Sequence, residues 1–269
     1  MTIKRKRSPR KRSKRKKKLS KRQLRVITLI ASALLLGILV WGVFRIKTVH
    51  NSLLNTFNHP AFTLKYPVRG VDVSHHNGGV NWDELREENV CFVYLKSTEG
   101  VSIKDKDYKE NYKLAKEVGL RVGTYLFYAF KLDGEKQAKL FITNSNVDTE
   151  DLVPAIDVEH SRYNRMYKNS KERDQIVKEL KVLEKELFKY YGVRPVIYTN
   201  KDCYKLYIKD HFPDNPLWIC DLEDEPSDEI DNWVIWQFSH SGNISGSFND
   251  IDLNYYRYSF REFSKLLMP

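Results

Sequence analysis

Eight short β-rich runs, interleaved with helical patterns, constrain this 269-residue chain more than any other feature. The runs lie at 68–74, 90–97, 121–130, 152–158, 194–199, 217–222, 234–239 and 250–255. Helical patterns fill 82–88, 107–118, 135–144 and 170–190, with a shorter one after Asn200. The longest of them carries apolar residues at helical spacing and has Gly192 just past its end as a stop signal. Strand followed by helix, repeatedly, predicts parallel strands joined by right-handed crossovers. The last three runs leave little room for helices. The expected fold is therefore an α/β, irregular TIM-like (β/α) barrel of eight strands with fewer helices, occupying 67–269.

Charge divides the rest of the chain. Residues 1–25 hold fifteen Lys or Arg and no acid, which leaves 31 basic against 35 acidic residues elsewhere, a net of −4. The basic character belongs to the tail, so the folded body is not expected to bind nucleic acid specifically. Residues 26–44, "VITLIASALLLGILVWGVF", carry no charge and as a helix span about 28 Å, close to the hydrocarbon thickness of a bilayer. No clear small-x-small cleavage site follows, so the segment reads as a single-pass anchor rather than a removed signal peptide. By the positive-inside rule the tail stays inside and the chain beyond Arg45 is exported, with 45–66 as a spacer. Cys91, Cys203 and Cys220 show no metal-ligand spacing, allow at most one disulfide, and place two thiols in apolar strand-like runs.

Alternation within the strands singles out a set of polar groups. In "PAIDVEH", Asp157 and Glu159 share one face of the fourth run while Ile156 and Val158 share the other. The first run sets Asp72 and Ser74 against Val71 and Val73; the second sets Tyr94, Lys96 and Thr98 against Val93 and Leu95. The eighth sets Asp250, Asp252 and Asn254 against Ile251 and Leu253. A half-solvated antiparallel sheet would alternate in the same way, but would not need helices between its strands. In a barrel of this kind the chemistry sits at the C-terminal strand ends, where Asp157 and Glu159 fall.

"GVDVSHHNGGVNW", "VYLKSTEG", "VGTYLFYAF", "PAIDVEH", "VIYTN", "LWIC", "WQFS" and "DIDLN" follow one another in an order and spacing that resembles glycoside hydrolase family 25, the N-acetylmuramidase lysozymes, over roughly 66–267. The resemblance implies cleavage of the β-1,4 bond between N-acetylmuramic acid and N-acetylglucosamine in peptidoglycan glycan strands, without a cofactor. It implies Glu159 as proton donor and Asp157, Asp72 and Asp252 as the other acids of the site. Two departures stand out: Leu126 where the family often has His, and Cys220 where it often has Ala.

Glycoside cleavage needs a carboxylic acid to protonate the leaving oxygen and a negative group to stabilise an oxocarbenium-like transition state. Crowded acids raise one another's cost of ionisation, so one of them, Glu159 by this reading, stays protonated near neutral pH. Tyr125, Tyr198 and Trp236 are candidate sugar-stacking rings. Lys96, Glu99 and Asn254 are candidate polar contacts. His75 and His76 read as structural hydrogen-bonders. A divalent metal on Asp72, His76, Asp157, Glu159 and His160 is the competing enzymatic reading, but no H-x-x-x-H or comparable spacing supports it. A non-catalytic wall-binding module would keep aromatics and lose the acids, which are all here.

Overall fold

The computed structural model describes residues 20–54, 56–57, 62–227, 230 and 232–269; most of the expected basic tail and part of the expected spacer lie outside them. The uncharged run forms a helix, α1 (Lys21–Leu54), in which Arg25–Ile46 is long and apolar enough to cross a membrane. Its apolar side chains, Leu34 to Leu36 and Ile38 to Val40 among them, are exposed.

Among the described residues of the remaining unit, strand and helix alternate as β1 (Arg69–Val73), α2 (Trp82–Glu87), β2 (Val90–Glu99), β3 (Ile103–Lys104), α3 (Tyr108–Glu117), β4 (Arg121–Phe127), α4 (Gly134–Asn144) and β5 (Ala155–Val158). There follow α5 (Ser170–Tyr191), β6 (Val196–Asn200), the short α6 (Lys201–Cys203), β7 (Leu217–Cys220), β8 (Trp233–Gly242), β9 (Ile251–Tyr256) and α7 (Phe260–Phe263). Helix α5 starts on Asn169, whose side chain accepts from the Lys171 N–H, and stops at Gly192, at φ 74°. Its buried stripe, Ile176, Leu180, Leu183 and Leu187, is the 3.6-residue pattern seen in the sequence.

Strands β1, β2, β4, β5, β6, β7 and β8 run parallel in that order around a closed barrel, and β3 is a two-residue hairpin arm on β2. The eighth barrel strand, β9, closes the ring antiparallel to both β8 and β1. All-parallel strands were expected from the alternation. A parallel β9 would need a crossover helix, for which the short β8–β9 connection has no length, so the chain turns back directly. The N-terminal half of β9 therefore lies at the end where its neighbours have their C-termini.

The barrel has two cores. Outward residues such as Val71, Val93, Leu126, Ile156, Ile197 and Leu253 pack under the helices. Inward residues such as Phe92, Tyr94, Tyr125, Val196, Tyr198, Trp218 and Ile235 fill the interior. Two glycines make room for that filling: a Cβ on Gly70 would lie 2.2 Å from the Phe92 ring, and one on Gly123 would lie 2.3 Å from the Tyr94 ring.

No long helix follows β8, and residues of the expected spacer cover the gap. Phe57 packs on Phe238 and Tyr255, Phe62 on Trp236, and Tyr66 on Trp233 and Tyr255. The folded body thus begins upstream of residue 67: the outer face of β8 and β9 is apolar, and without a helix it needs this cover.

Candidate active site

At the C-terminal end of the parallel strands, Asp72, Tyr125, Asp157, Glu159, Tyr198, Trp218, Gln237, His240 and Asp252 line a cavity of about 90 Å³. Inward parity on β1, β4, β5, β6 and β7 accounts for Asp72, Tyr125, Asp157, Tyr198 and Trp218. Glu159 lies one step past the end of β5. There Asn164 ties the loop down, donating to the carbonyls of Tyr128 and Glu159 and accepting from the Phe130 N–H at 2.9 Å.

A hydrogen-bonded relay fixes the floor. Trp218 Nε1 donates to Asn254 Oδ1 at 2.7 Å, and Asn254 Nδ2 donates to Asp72 Oδ2 at 2.8 Å. From the other side Tyr198 OH donates to Gln237 Oε1 at 2.8 Å, and Gln237 Nε2 donates to the same Asp72 oxygen at 2.8 Å. Tyr94 and Tyr198 pack on the Trp218 indole with ring centroids 4.8 Å away. The aromatic floor and the acid are thereby held as one piece.

Burial, first of all, lifts Asp72, Asp157 and Glu159 above the ordinary carboxyl range. Asp252 adds repulsion at Asp72, and Glu159 adds it at Asp157. Lys96 opposes the shift at both Asp157 and Glu159, and the cation forms of His240 and Lys96 favour an ionised Glu159. The upward shift is therefore shared by three carboxyls of the cluster and is not confined to Glu159. Asp157 Oδ1 is buried and has no hydrogen-bond partner among the described residues.

The remaining candidates fall in three places. Lys96 Nζ contacts Glu99 Oε2 at 2.7 Å and lies 5.0 Å from the Phe127 ring. The two share a face because the register shifts between Lys96 and Thr98, so Thr98 pairs with outward-facing Leu126 instead of following Lys96 inward. Asn254 lies beneath the acids as a positioning group. Trp236, expected as a stacking ring, is outside the barrel wall: it packs on Phe62 and Phe238, and its Nε1 donates to the Asp221 carbonyl. Leu126 is likewise buried in the outer core, so that departure from the family pattern does not reach the cavity.

Gln237, Trp218 and His240 were missed as site residues. Parity carried the first two, since Gln237 follows an outward residue and Trp218 alternates with outward Leu217 and Ile219. His240 had no such signal. Strict alternation from Gln237 would turn it outward, and the register shift between Gln237 and Ser239 turns it in. Its Nδ1 lies 3.1 Å from Asp252 Oδ1, and that carboxylate raises the imidazole above its usual range. The histidines of the metal reading face elsewhere: His76 stacks on His75 with centroids 3.9 Å apart, and His160 bonds Tyr207 OH at 3.3 Å.

The family model of "Glycosyl hydrolases family 25" matches residues 71–247. The chain belongs to this family. It is a glycoside hydrolase, as its motifs implied. A family 25 glycosyl hydrolase from Bacillus anthracis is similar in structure, with 36% identity and a TM-score of 0.68 over 76% of this chain and 94% of that one. A bacterial lysozyme from Streptomyces coelicolor matches at 26% identity and the same TM-score over 74% and 96%. Among curated proteins, Lysozyme M1 of Streptomyces globisporus is 27% identical over 202 residues, covering 70% of this chain and 67% of the relative. The fold and family of this glycoside hydrolase agree with the barrel and with the cluster of acids at its strand ends.

Proposed function

We propose that this family 25 enzyme is a muramidase in which Glu159 is the general acid and base and Asp157 orients the substrate. Peptidoglycan hydrolysis follows from family membership and from the lysozymes it resembles. The roles rest on one observation: a buried Asp157 and a half-buried Glu159 at one strand end, of which Asp157 keeps an oxygen with no donor among the described residues. A buried acceptor of this kind suits the N–H of the substrate's N-acetyl group. Held there, the acetyl oxygen attacks the anomeric carbon as Glu159 gives its proton to the leaving sugar oxygen. Water then attacks the same carbon and gives a proton to Glu159 as the bond to the acetyl oxygen breaks, so the N-acetyl group is restored and configuration is retained. Asp72 and Asp252 supply negative potential beneath the developing positive charge. Tyr125 and Trp218 offer apolar ring surface to the sugar.

Release of new reducing ends from purified peptidoglycan, with muramic acid at the new terminus, tests the activity. Glucosamine termini instead would overturn the bond assignment.

The basic tail and the apolar helix support a single-pass anchor with the N-terminus inside and the barrel on the wall side of the membrane. Protease added outside spheroplasts should remove the barrel. Full protection of it would reverse the topology.

A further inference from the structure

At the same end of the barrel, Cys220 and His240 join one of the muramidase acids, Asp252, in a second constellation. Cys220 ends β7 on the inward face, and its Sγ lies 3.5 Å from His240 Nε2. The other ring nitrogen of His240 is held by Asp252 at 3.1 Å. That carboxylate favours the imidazolium, so a proton passed from the thiol to Nε2 is kept on His240 and the sulfur is left as the thiolate. A thiol, a base and an acid that orients the base are the parts of an activated sulfur nucleophile. The unpartnered, buried Asp157 Oδ1 borders the same space and is close enough to Cys220 for their charges to interact.

The other two cysteines lack this setting. Cys203 is fully buried, and burial pushes its thiol up to about 12. Cys91 is half-buried near the start of β2, where its thiol donates to the Asn89 carbonyl.

We propose that Cys220 is a reactive thiol, and that its covalent modification by small electrophiles or peroxides switches the hydrolase off. His240, which the Cys220 sulfur contacts, lines the cavity of about 90 Å³, and that cavity is the approach for a small reagent. With an alkyl halide the sulfur attacks the carbon, a C–S bond forms, the carbon–halogen bond breaks, and halide leaves while the thiol proton remains on His240. With hydrogen peroxide the sulfur attacks one oxygen and the O–O bond breaks. The departing hydroxide takes the proton from His240 as water, so sulfur is oxidised by two electrons to sulfenic acid and peroxide is reduced. Either adduct stands beside His240, which lines the cavity that the N-acetyl group must enter.

The consequence for turnover rests on the muramidase reading; the thiol chemistry does not. Full-length enzyme in detergent would be treated with iodoacetamide, and each cysteine followed by peptide mass spectrometry beside turnover on peptidoglycan. Cys220 should label at least about tenfold faster than Cys203, and activity should fall in step with Cys220. Cys220→Ala, the residue the family often has here, should keep basal turnover and resist the reagent. His240→Gln should slow labelling of Cys220 by roughly tenfold, a readout that needs no activity. Labelling of Cys220 no faster than Cys203, or unchanged by His240→Gln, would overturn the reactive thiol. Equal inactivation of Cys220→Ala would overturn its role as the switch.

Discussion

Asp72 and Asp252 stand directly opposite each other in the antiparallel register of β1 and β9, the first and last strands of the barrel. The pairing exists because β9 reverses, which brings the beginning of one strand to the end of the other. Asp72 accepts from Gln237 and Asn254, yet burial and the facing Asp252 still raise it. A carboxyl raised in the folded state stabilises the fold below the ordinary carboxyl range, and that contribution is lost as pH rises through the raised value.

Asp72→Asn should therefore gain stability relative to the parent as pH rises from about 4 towards neutrality, the ordinary Asp range being near 3.9. Its amide oxygen can accept both existing donors while its N–H faces Asp252. Urea melts across pH check this, and a difference independent of pH would refute the coupling. Turnover should fall by about 10² through lost electrostatic stabilisation.

Glu159→Gln keeps shape but carries no transferable proton, so turnover on peptidoglycan should drop by about 10²–10⁴ with binding retained. On an aryl glycoside of the same sugar with a good leaving group, Glu159→Gln should recover partly and Asp157→Asn should not. Equal recovery of both would mean the two roles are assigned wrongly.

The two indoles should separate cleanly. Trp236→Phe loses outer packing and the bond to the Asp221 carbonyl, so stability should fall by roughly 1–3 kcal/mol with KM unchanged. Trp218→Phe removes the donor that holds Asn254 and should lower kcat and raise KM. A KM effect of Trp236→Phe would put that ring back at the substrate.

Removing residues up to 50 should leave an active, folded barrel, whereas removing residues up to 66 strips Phe57, Phe62 and Tyr66 from β8 and β9. Losing each buried ring costs roughly 3–5 kcal/mol, enough to unfold most domains. Circular dichroism melts of the two truncations decide it, and equal midpoints would show the cover to be dispensable.

Period-2 alternation was enough to place Asp72, Asp157 and Tyr198 on one inner surface, because a strand must send successive side chains to opposite faces whatever surrounds it. Motif order was enough for the family, and length and charge for the apolar helix. What the chain alone could not express was register. The bulges that turn Glu99 towards Lys96 and His240 towards Asp252, and the reversal that sets Asp252 against Asp72, depend on hydrogen-bond partners from other strands. The same holds for Trp236, whose outward direction is obvious only once Phe62 and Tyr66 have somewhere to pack. Local sequence sets which side chains can share a face; closure of the barrel decides which faces meet, because the ladders that fix register join residues far apart in the chain.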